Sequence, residues 1–292
     1  MEKTFTTEKI APDSRGLSFL YRTVFGRAIL SLLTMRAVSK LVGKFLDSKL
    51  SKPMINGFIK KNGITAEEFE IENLRCFNDC FARRVKEGKR PVEYSQDALI
   101  SPCDARLSAY RITENTVLPI KQSSYTISSL LAGDEISKKY ENGICLVYRL
   151  CVDNYHRYCY IDNGTKGKNV FIKGKLHTVR PIALESLPVF TENCREYTVM
   201  ETENFGTVTQ IEVGAMLVGK IKNHHEEHSF LRGEEKGLFL YGGSTIVVLL
   251  EKERASLPES IFEATEKGYE TLVKYGEQIG TVYSARSAEA NM

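Results

Sequence analysis

The chain has 292 residues, of which 42% are hydrophobic and 26% charged, and its formal net charge is +3 at pH 7. This length and composition are typical of a folded protein with a large core, and they exclude a mainly disordered chain. The small net charge and the lack of a long basic tract argue against nucleic acid as a partner.

The cysteines and the N-terminal residues indicate the cellular compartment in which the protein works. Seven cysteines are scattered along the chain without a C-x-x-C pair, which is typical of reduced thiols in a cytosolic protein. The first nine residues are polar and lack the apolar core of a signal peptide. No stretch reaches about 18 uninterrupted apolar residues, so we expect a protein that does not cross a membrane.

Residues 17–46 have apolar side chains at roughly helical spacing, and no acidic residue follows in the chain until Asp47. Two interpretations are open. A basic amphipathic helix can lie on a bilayer surface, or a helix or helix pair can pack on the protein's own core. The basic residues interspersed in this stretch are Arg22, Arg27, Arg36, Lys40 and Lys44.

The helical pattern continues over residues 49–88, and short strand-like segments follow after Pro91. One helix is predicted over residues 125–140 and a closing helix over 258–275. The spacing predicts an α+β protein, with an N-terminal helical region at 1–90 and a β-rich, mostly antiparallel domain at 91–292. Predicted strands cover 98–101, 116–121, 144–152, 169–173, 197–202, 208–213, 217–221 and 238–241.

A Gly-Gly-Ser-Thr sequence joins two apolar segments within residues 238–250. Gly242 and Gly243 lack a Cβ, so another group can approach the Gly243 carbonyl closely. Ser244 is a small nucleophile beside this accessible peptide bond. We therefore hypothesise that the Gly243–Ser244 bond is the substrate of a reaction that the chain performs on itself.

Two further polar clusters lie in the β-rich region. Asp104 ends the sequence Ser-Pro-Cys-Asp, and His156 lies between two aromatic residues, Tyr155 and Tyr158. Serine, histidine and aspartate suffice for nucleophilic catalysis if the fold brings them together. The alternatives are a turn-forming role for Asp104 and a packed or surface position for His156.

No metal or nucleotide site is expected from local motifs. His224 and His228 are four residues apart, but His225 stands where the zincin pattern requires glutamate. We therefore expect a solvated polar loop at residues 224–228. The sequence also contains no Walker A loop and no G-x-G-x-x-G turn after a strand.

Several motifs occur in the order found in one enzyme family, and together they are far more specific than any one of them. They are CFNDCFARR at 76–84, RP at 90–91, SPCD at 101–104, YHR at 155–157, VGAMLVG at 213–219, KG at 236–237, GGST at 242–245, GYET at 268–271 and GEQIG at 276–280. Over most of its length the chain resembles phosphatidylserine decarboxylases, the pyruvoyl-dependent enzymes of phosphatidylethanolamine synthesis.

The resemblance implies a self-cleaving proenzyme. Cleavage between Gly243 and Ser244 would give chains 1–243 and 244–292, and Ser244 would become a covalent pyruvoyl group, with no metal or nucleotide cofactor. Its ketone would react with the amino group of phosphatidylserine and accept electrons as carbon dioxide leaves. By similarity, His156 would deliver the proton to the resulting carbanion, and Asp104 would be the catalytic aspartate.

The chain departs from the family at one catalytic position. The family motif is Tyr-His-Arg-x-His, and its second histidine activates the serine together with the aspartate; this chain has Cys159 there. In one interpretation His156 or a Cys159 thiolate activates Ser244 instead. In the other, the chain is an uncleaved, catalytically degenerate relative that binds aminophospholipid membranes. The family's Asp-Gly is also replaced, by Asp104-Ala105.

The expected partners follow from a lipid substrate. They are phosphatidylserine, the membrane surface and the chain's own second fragment, with a homodimer as an open alternative and no nucleic acid. A lipid substrate also favours the membrane-surface interpretation of the basic helical segment. We expect a peripheral protein on the cytoplasmic side of the cell membrane.

Overall fold

The computed structural model describes residues 4–9, 15–33, 36–113, 118–120, 123–174, 193–214, 220–240 and 244–284. Gly242 and Gly243 lie outside the described residues, as do residues 215–219 of the VGAMLVG motif and parts of the strands predicted at 116–121 and 217–221. None of the described helices is long and apolar enough to cross a membrane.

The helices are short and most of them precede the β-rich region. Within residues 17–46, predicted to be helical, the described residues form three consecutive helices. The helices are α1 (Arg15–Arg22), α2 (Val24–Leu33), α3 (Arg36–Leu46), α4 (Met54–Lys61), α5 (Phe77–Phe81), α6 (Ile127–Leu130) and α7 (Glu259–Glu266).

The strands are mostly three to eight residues long. They are β1 (Thr7–Lys9), β2 (Ala98–Ile100), β3 (Ala105–Arg111), β4 (Leu118–Ile120), β5 (Ser123–Tyr125), β6 (Ile144–Leu150), β7 (Arg157–Cys159), β8 (Gly164–Lys166), β9 (Val170–Ile172), β10 (Arg195–Thr202), β11 (Gly206–Val213), β12 (Ile221–Asn223), β13 (His228–Phe230), β14 (Glu235–Phe239), β15 (Ser244–Leu250), β16 (Ala255–Ser256), β17 (Tyr269–Val273) and β18 (Gln278–Val282).

One large sheet organises the described part of the chain. Its strand order is β1-β17-β3-β6-β15-β11-β10-β8-β13, with β9 also paired to β10, and every pair is antiparallel. A smaller sheet, β12-β14-β7, carries the residues around the YHR motif. The mixed, mostly antiparallel architecture confirms the α+β prediction.

Each face of the large sheet has its own hydrophobic core, because side chains alternate between the faces along a strand. Ile246 and Val248 of β15 belong to one core, together with Tyr158 of the smaller sheet. Val247 and Leu249 belong to the other core, which contains Tyr21 of α1 and Leu30 of α2. The N-terminal helices are thus packed on the sheet through part of their surface.

Two predicted helices are shorter than expected. The helix predicted over 125–140 is wrong as a single element: α6 ends at Leu130, and a 3-10 helix follows at Glu135–Tyr140. Ala132 and Gly133 separate them with positive φ angles of 54° and 86°, which an α-helix cannot accommodate. The closing helix predicted over 258–275 is wrong in its extent, because α7 ends at Glu266.

Glycine again explains the early end of α7. Gly268 has a φ of 75°, so the chain leaves the helix there and continues as β17, which pairs with β1 and β3. The domain division at residue 90 stays a prediction; β1, from the region before that residue, is an edge strand of the large sheet.

Gly143 offers a test of the packing around β15. A Cβ at this position would lie 2.0 Å from the Leu250 carbonyl oxygen, whereas a Cβ at Gly167 would meet nothing within 4 Å. Because backbone must shift to relieve the clash, we expect Gly143→Ala to lower the free energy of unfolding by about 1–3 kcal/mol. Gly167→Ala should change it by less than about 0.5 kcal/mol. Equal urea midpoints for the two variants would contradict the described packing.

Candidate active site

Ser244 is the first residue of β15, the strand between β6 and β11 in the large sheet. It pairs with Leu150 of β6, and its neighbour Thr245 pairs with Val213 of β11. Ser244 is 1% exposed, and every residue of β15 is buried. The sheet therefore fixes the serine at a defined, dry position.

His156 contacts this serine directly. Its Nδ1 lies 3.2 Å from Ser244 Oγ, and its Nε2 lies 3.0 Å from the Cys151 carbonyl oxygen. A carbonyl oxygen only accepts hydrogen bonds, so Nε2 must carry the imidazole proton. Nδ1 then has a free lone pair that accepts from the Ser244 hydroxyl. This is the arrangement of a nucleophile with its general base.

The surroundings of His156 keep the ring neutral. The side chain is fully buried, and the Phe81 ring packs on it with centroids 4.0 Å apart. Burial, together with the nearby Arg83 charge, lowers the pKa of His156 to about 3. The imidazole is therefore unprotonated at neutral pH and available to accept a proton.

Arg83 fastens the turn that orients His156. Its guanidinium donates to the Asp153 and Asn154 carbonyl oxygens, at 2.7 and 3.1 Å, and to the Cys80 carbonyl oxygen at 3.3 Å. Asn154 closes the turn, donating its backbone N–H to the Cys151 carbonyl and accepting the Cys151 N–H on Oδ1. The end of α5 is thereby tied to the loop after β6.

Asp104 lies in an ion pair with Arg90. Arg90 Nε is 2.8 Å from Oδ1 and Nη2 is 2.7 Å from Oδ2, and the Tyr275 N–H donates to Oδ1 at 2.9 Å. Across the described residues, no hydrogen bond joins Asp104 to His156 or Ser244. Asp104 is nonetheless close enough to influence Arg83: burial lowers the pKa of Arg83, and the charges of Cys80, Asp104 and Asp153 oppose that shift.

Cys159 is buried at the end of β7, three residues after His156. Its backbone N–H donates to the Pro102 carbonyl, and its Sγ lies 4.0 Å from the Ser101 carbonyl oxygen. Burial raises the pKa of the thiol to about 12, so a thiolate is not available at neutral pH. Of the two groups considered for activating Ser244, the geometry and ionisation therefore favour His156.

The sequence interpretation missed three parts of this site. Phe81 and Arg83 were recognised only as members of a motif, and the Cys151 carbonyl belongs to the backbone. The available signal was a pair of arginines, Arg83 and Arg84, at the end of an apolar helical segment. Arg83 is 2% exposed, and a buried arginine requires several hydrogen-bond acceptors.

Comparison with known proteins identifies the family. The family model for phosphatidylserine decarboxylase matches residues 77–281, more than half of the chain. The "Phosphatidylserine decarboxylase proenzyme 2" of Clostridium acetobutylicum is 45% identical over 265 residues, covering 90% of this chain and 91% of the relative. The "Phosphatidylserine decarboxylase proenzyme" of Clostridium botulinum strain 657 is 38% identical over 285 residues, covering 96% of both.

A third relative extends the match to nearly the whole chain. The "Phosphatidylserine decarboxylase proenzyme" of Ruminiclostridium cellulolyticum is 38% identical over 291 residues, covering 98% of this chain and 97% of the relative. The matched region includes Ser244, His156 and the other residues of the site. The chain belongs to the phosphatidylserine decarboxylase family.

Proposed function

We propose that the chain is a carboxy-lyase that converts phosphatidylserine to phosphatidylethanolamine and carbon dioxide, using a pyruvoyl group that it makes from Ser244. The observation that carries this proposal is the 3.2 Å contact between Ser244 Oγ and His156 Nδ1 at the start of a buried central strand. Membership in the decarboxylase family supplies the reaction. The uncleaved, lipid-binding alternative is not favoured, because the nucleophile has a neutral base beside it.

Self-cleavage begins at Ser244. His156 Nδ1 takes the hydroxyl proton as Oγ bonds to the Gly243 carbonyl carbon. The bond from that carbon to the Ser244 nitrogen then breaks, the nitrogen takes the proton, and an ester remains. Loss of the Ser244 Cα proton expels the Gly243 carboxylate and leaves dehydroalanine. Addition of water and loss of ammonia give the ketone, with chains 1–243 and 244–292 as products.

The sheet supports retention of the new chain end. All seven residues of β15 pair with β6, and β11 holds the other edge of the strand. The later strand β17 pairs with β1 and β3, and β18 pairs with β2, all of which belong to the first fragment. Since the fragments share one sheet and its cores, we expect them to stay associated after the bond is cut.

The site residues have distinct roles in this proposal. The pyruvoyl ketone supplies an electron sink for decarboxylation when it is present. His156, beside the former serine oxygen, activates Ser244 in the proenzyme and is assigned proton delivery to the substrate carbon in turnover. Asp104 is assigned a positioning role: it pairs with Arg90, and its charge acts on Arg83, which holds the turn that supplies the Cys151 carbonyl.

The N-terminal helices offer a docking surface for a bilayer. Residues Arg22 and Arg27 are exposed, and large apolar side chains are exposed around them. A basic, apolar surface of this kind binds anionic headgroups while its apolar groups enter the acyl boundary. The exposed apolar side chains of this docking surface are Phe19 (44%), Val24 (78%), Phe25 (70%), Ile29 (36%), Leu41 (70%), Phe45 (45%), Leu50 (78%) and Met54 (46%).

Contacts lead from the docking surface to the site. Leu46, at the end of α3, is buried in one cluster with Phe77 and Phe81 of α5. Phe81 in turn packs on His156. The membrane-facing helices and the base are therefore connected through packed side chains. Location on the cytoplasmic side of the membrane stays a prediction, as does the formation of a homodimer.

The self-cleavage is tested by intact mass. We expect the wild-type protein to give two polypeptides, the smaller beginning with pyruvate at position 244, and Ser244→Ala to remain a single chain of 292 residues. Thr245→Val is a matched control, because the Thr245 hydroxyl has no hydrogen-bond partner among the described residues. It should cleave like the wild type. An intact wild-type mass after long incubation would exclude the pyruvoyl mechanism.

The docking surface is tested by charge reversal. Replacing Arg22, Arg27 and Arg36 by Glu should weaken binding to anionic liposomes by about 100-fold, since each cation near the surface contributes ~1 kcal/mol. Sedimentation with phosphatidylserine-containing vesicles measures the change.

A control with the same charge change separates docking from net charge. Lys168, Lys252 and Lys267 have side chains that are 76%, 61% and 67% exposed, and they lie outside the N-terminal helices. Replacing these three by Glu should weaken binding much less. Equal sedimentation of both triple variants would rule out this docking surface.

A further inference from the structure

Three side chains with metal-binding chemistry meet where the chain passes from β13 to β14. His228 begins β13, His225 precedes it, and Glu234 lies immediately before β14. One ligand atom from each of these residues lies within 4.8 Å of the other two. The decarboxylation mechanism uses none of them.

The geometry of this trio is unusual for a solvated loop. The His225 and His228 rings are stacked with centroids 3.8 Å apart, and His228 Nε2 lies 2.7 Å from Glu234 Oε1. Because the lone pairs lie in the ring planes, one ring must rotate about its side-chain bonds before both nitrogens can bind one ion. His225 Nδ1 is buried and has no hydrogen-bond partner among the described residues. A buried nitrogen without a partner costs about 1–3 kcal/mol, so a missing partner such as an ion accounts for it.

The backbone that carries these side chains is well anchored. Lys166 Nζ and Asn169 Nδ2 each donate to the His225 carbonyl oxygen at 2.8 Å. Lys166 also donates to the Glu226 carbonyl. Glu234 Oε2 accepts the Leu231 N–H at 3.1 Å. Fixed ligands lose little freedom when they bind an ion.

We propose that His225, His228 and Glu234 bind one divalent transition-metal ion. Two imidazoles and a carboxylate suit Zn²⁺, with water in the fourth position of a tetrahedron. The ligating nitrogens must carry no proton, so the ion takes the place of the hydrogen bond between His228 Nε2 and Glu234 Oε1. The proposed site departs from the expectation of a metal-free polar loop at residues 224–228. Its third ligand, Glu234, lies outside that loop, between β13 and β14.

His224 is not part of the site, although spacing paired it with His228. Its Nε2 lies 2.6 Å from Glu235 Oε1, which also accepts from Arg157 Nη1 at 2.7 Å. The ion would instead join β13, an edge strand of the large sheet, to the start of β14. Its role is structural: it ties the edge of the large sheet to the smaller sheet and does not take part in decarboxylation.

Zinc binding to the full-length protein tests the proposal. After metal removal with a chelator, calorimetric titration with Zn²⁺ should saturate at one ion per chain. The thermal midpoint should rise by about 5 °C at zinc concentrations near 100 times the dissociation constant. His225→Ala and Glu234→Gln should each weaken binding by at least about 100-fold. His224→Ala is the matched control and should bind zinc like the wild type.

Cobalt separates this site from adventitious binding to cysteine. Co²⁺ bound by two imidazoles and a carboxylate should show visible ligand-field bands without the near-ultraviolet charge-transfer band of a thiolate ligand. Three results would each overturn the proposal. They are the absence of saturable binding, a thiolate charge-transfer band, and unchanged affinity in both His225→Ala and Glu234→Gln. The readouts do not depend on self-cleavage or on decarboxylase activity.

Discussion

The hydrogen bond from His156 Nε2 to the Cys151 carbonyl oxygen determines which ring nitrogen can act as a base. Because the carbonyl requires a proton on Nε2, the lone pair of Nδ1 points at Ser244 Oγ. A backbone oxygen thus performs the orienting task that a carboxylate performs in the common serine-histidine-aspartate arrangement. Cys159 stands where the resemblance implied a second histidine, and the proposed activation of Ser244 does not need one, since His156 already contacts the nucleophile.

This arrangement depends on a buried, neutral imidazole. The Phe81 ring covers one side of His156, and the Arg83 charge disfavours protonation. Burial is the larger reason why the ring stays unprotonated, and Arg83 adds to it while also holding the Asp153 and Asn154 carbonyls of the turn. A base with a pKa of about 3 is weak in water. In the proposed mechanism its advantage is proximity: the proton would move over one 3.2 Å contact in a dry site.

Part of the fold and of the site could be predicted from the sequence. The apolar run at 246–250, which follows Gly-Gly-Ser-Thr, lies within the buried strand β15, and that strand already begins at Ser244. The end of α7 was missed because apolar spacing continued past Gly268, whose positive φ redirects the chain. Sequence order placed Glu234 outside the histidine cluster, because only the turn of the chain between β13 and β14 brings them together. Contacts made by backbone atoms, such as the Cys151 carbonyl, leave no residue-type signal.

The central claim is that His156, and not Cys159, activates Ser244. The most direct test is the rate of self-cleavage of freshly synthesised His156→Gln and Cys159→Ser proenzymes, followed on a denaturing gel. Loss of the general base should slow cleavage by at least about 100-fold in His156→Gln, whereas Cys159→Ser should cleave within a few-fold of the wild type. Normal cleavage of His156→Gln together with loss of cleavage in Cys159→Ser would contradict the account.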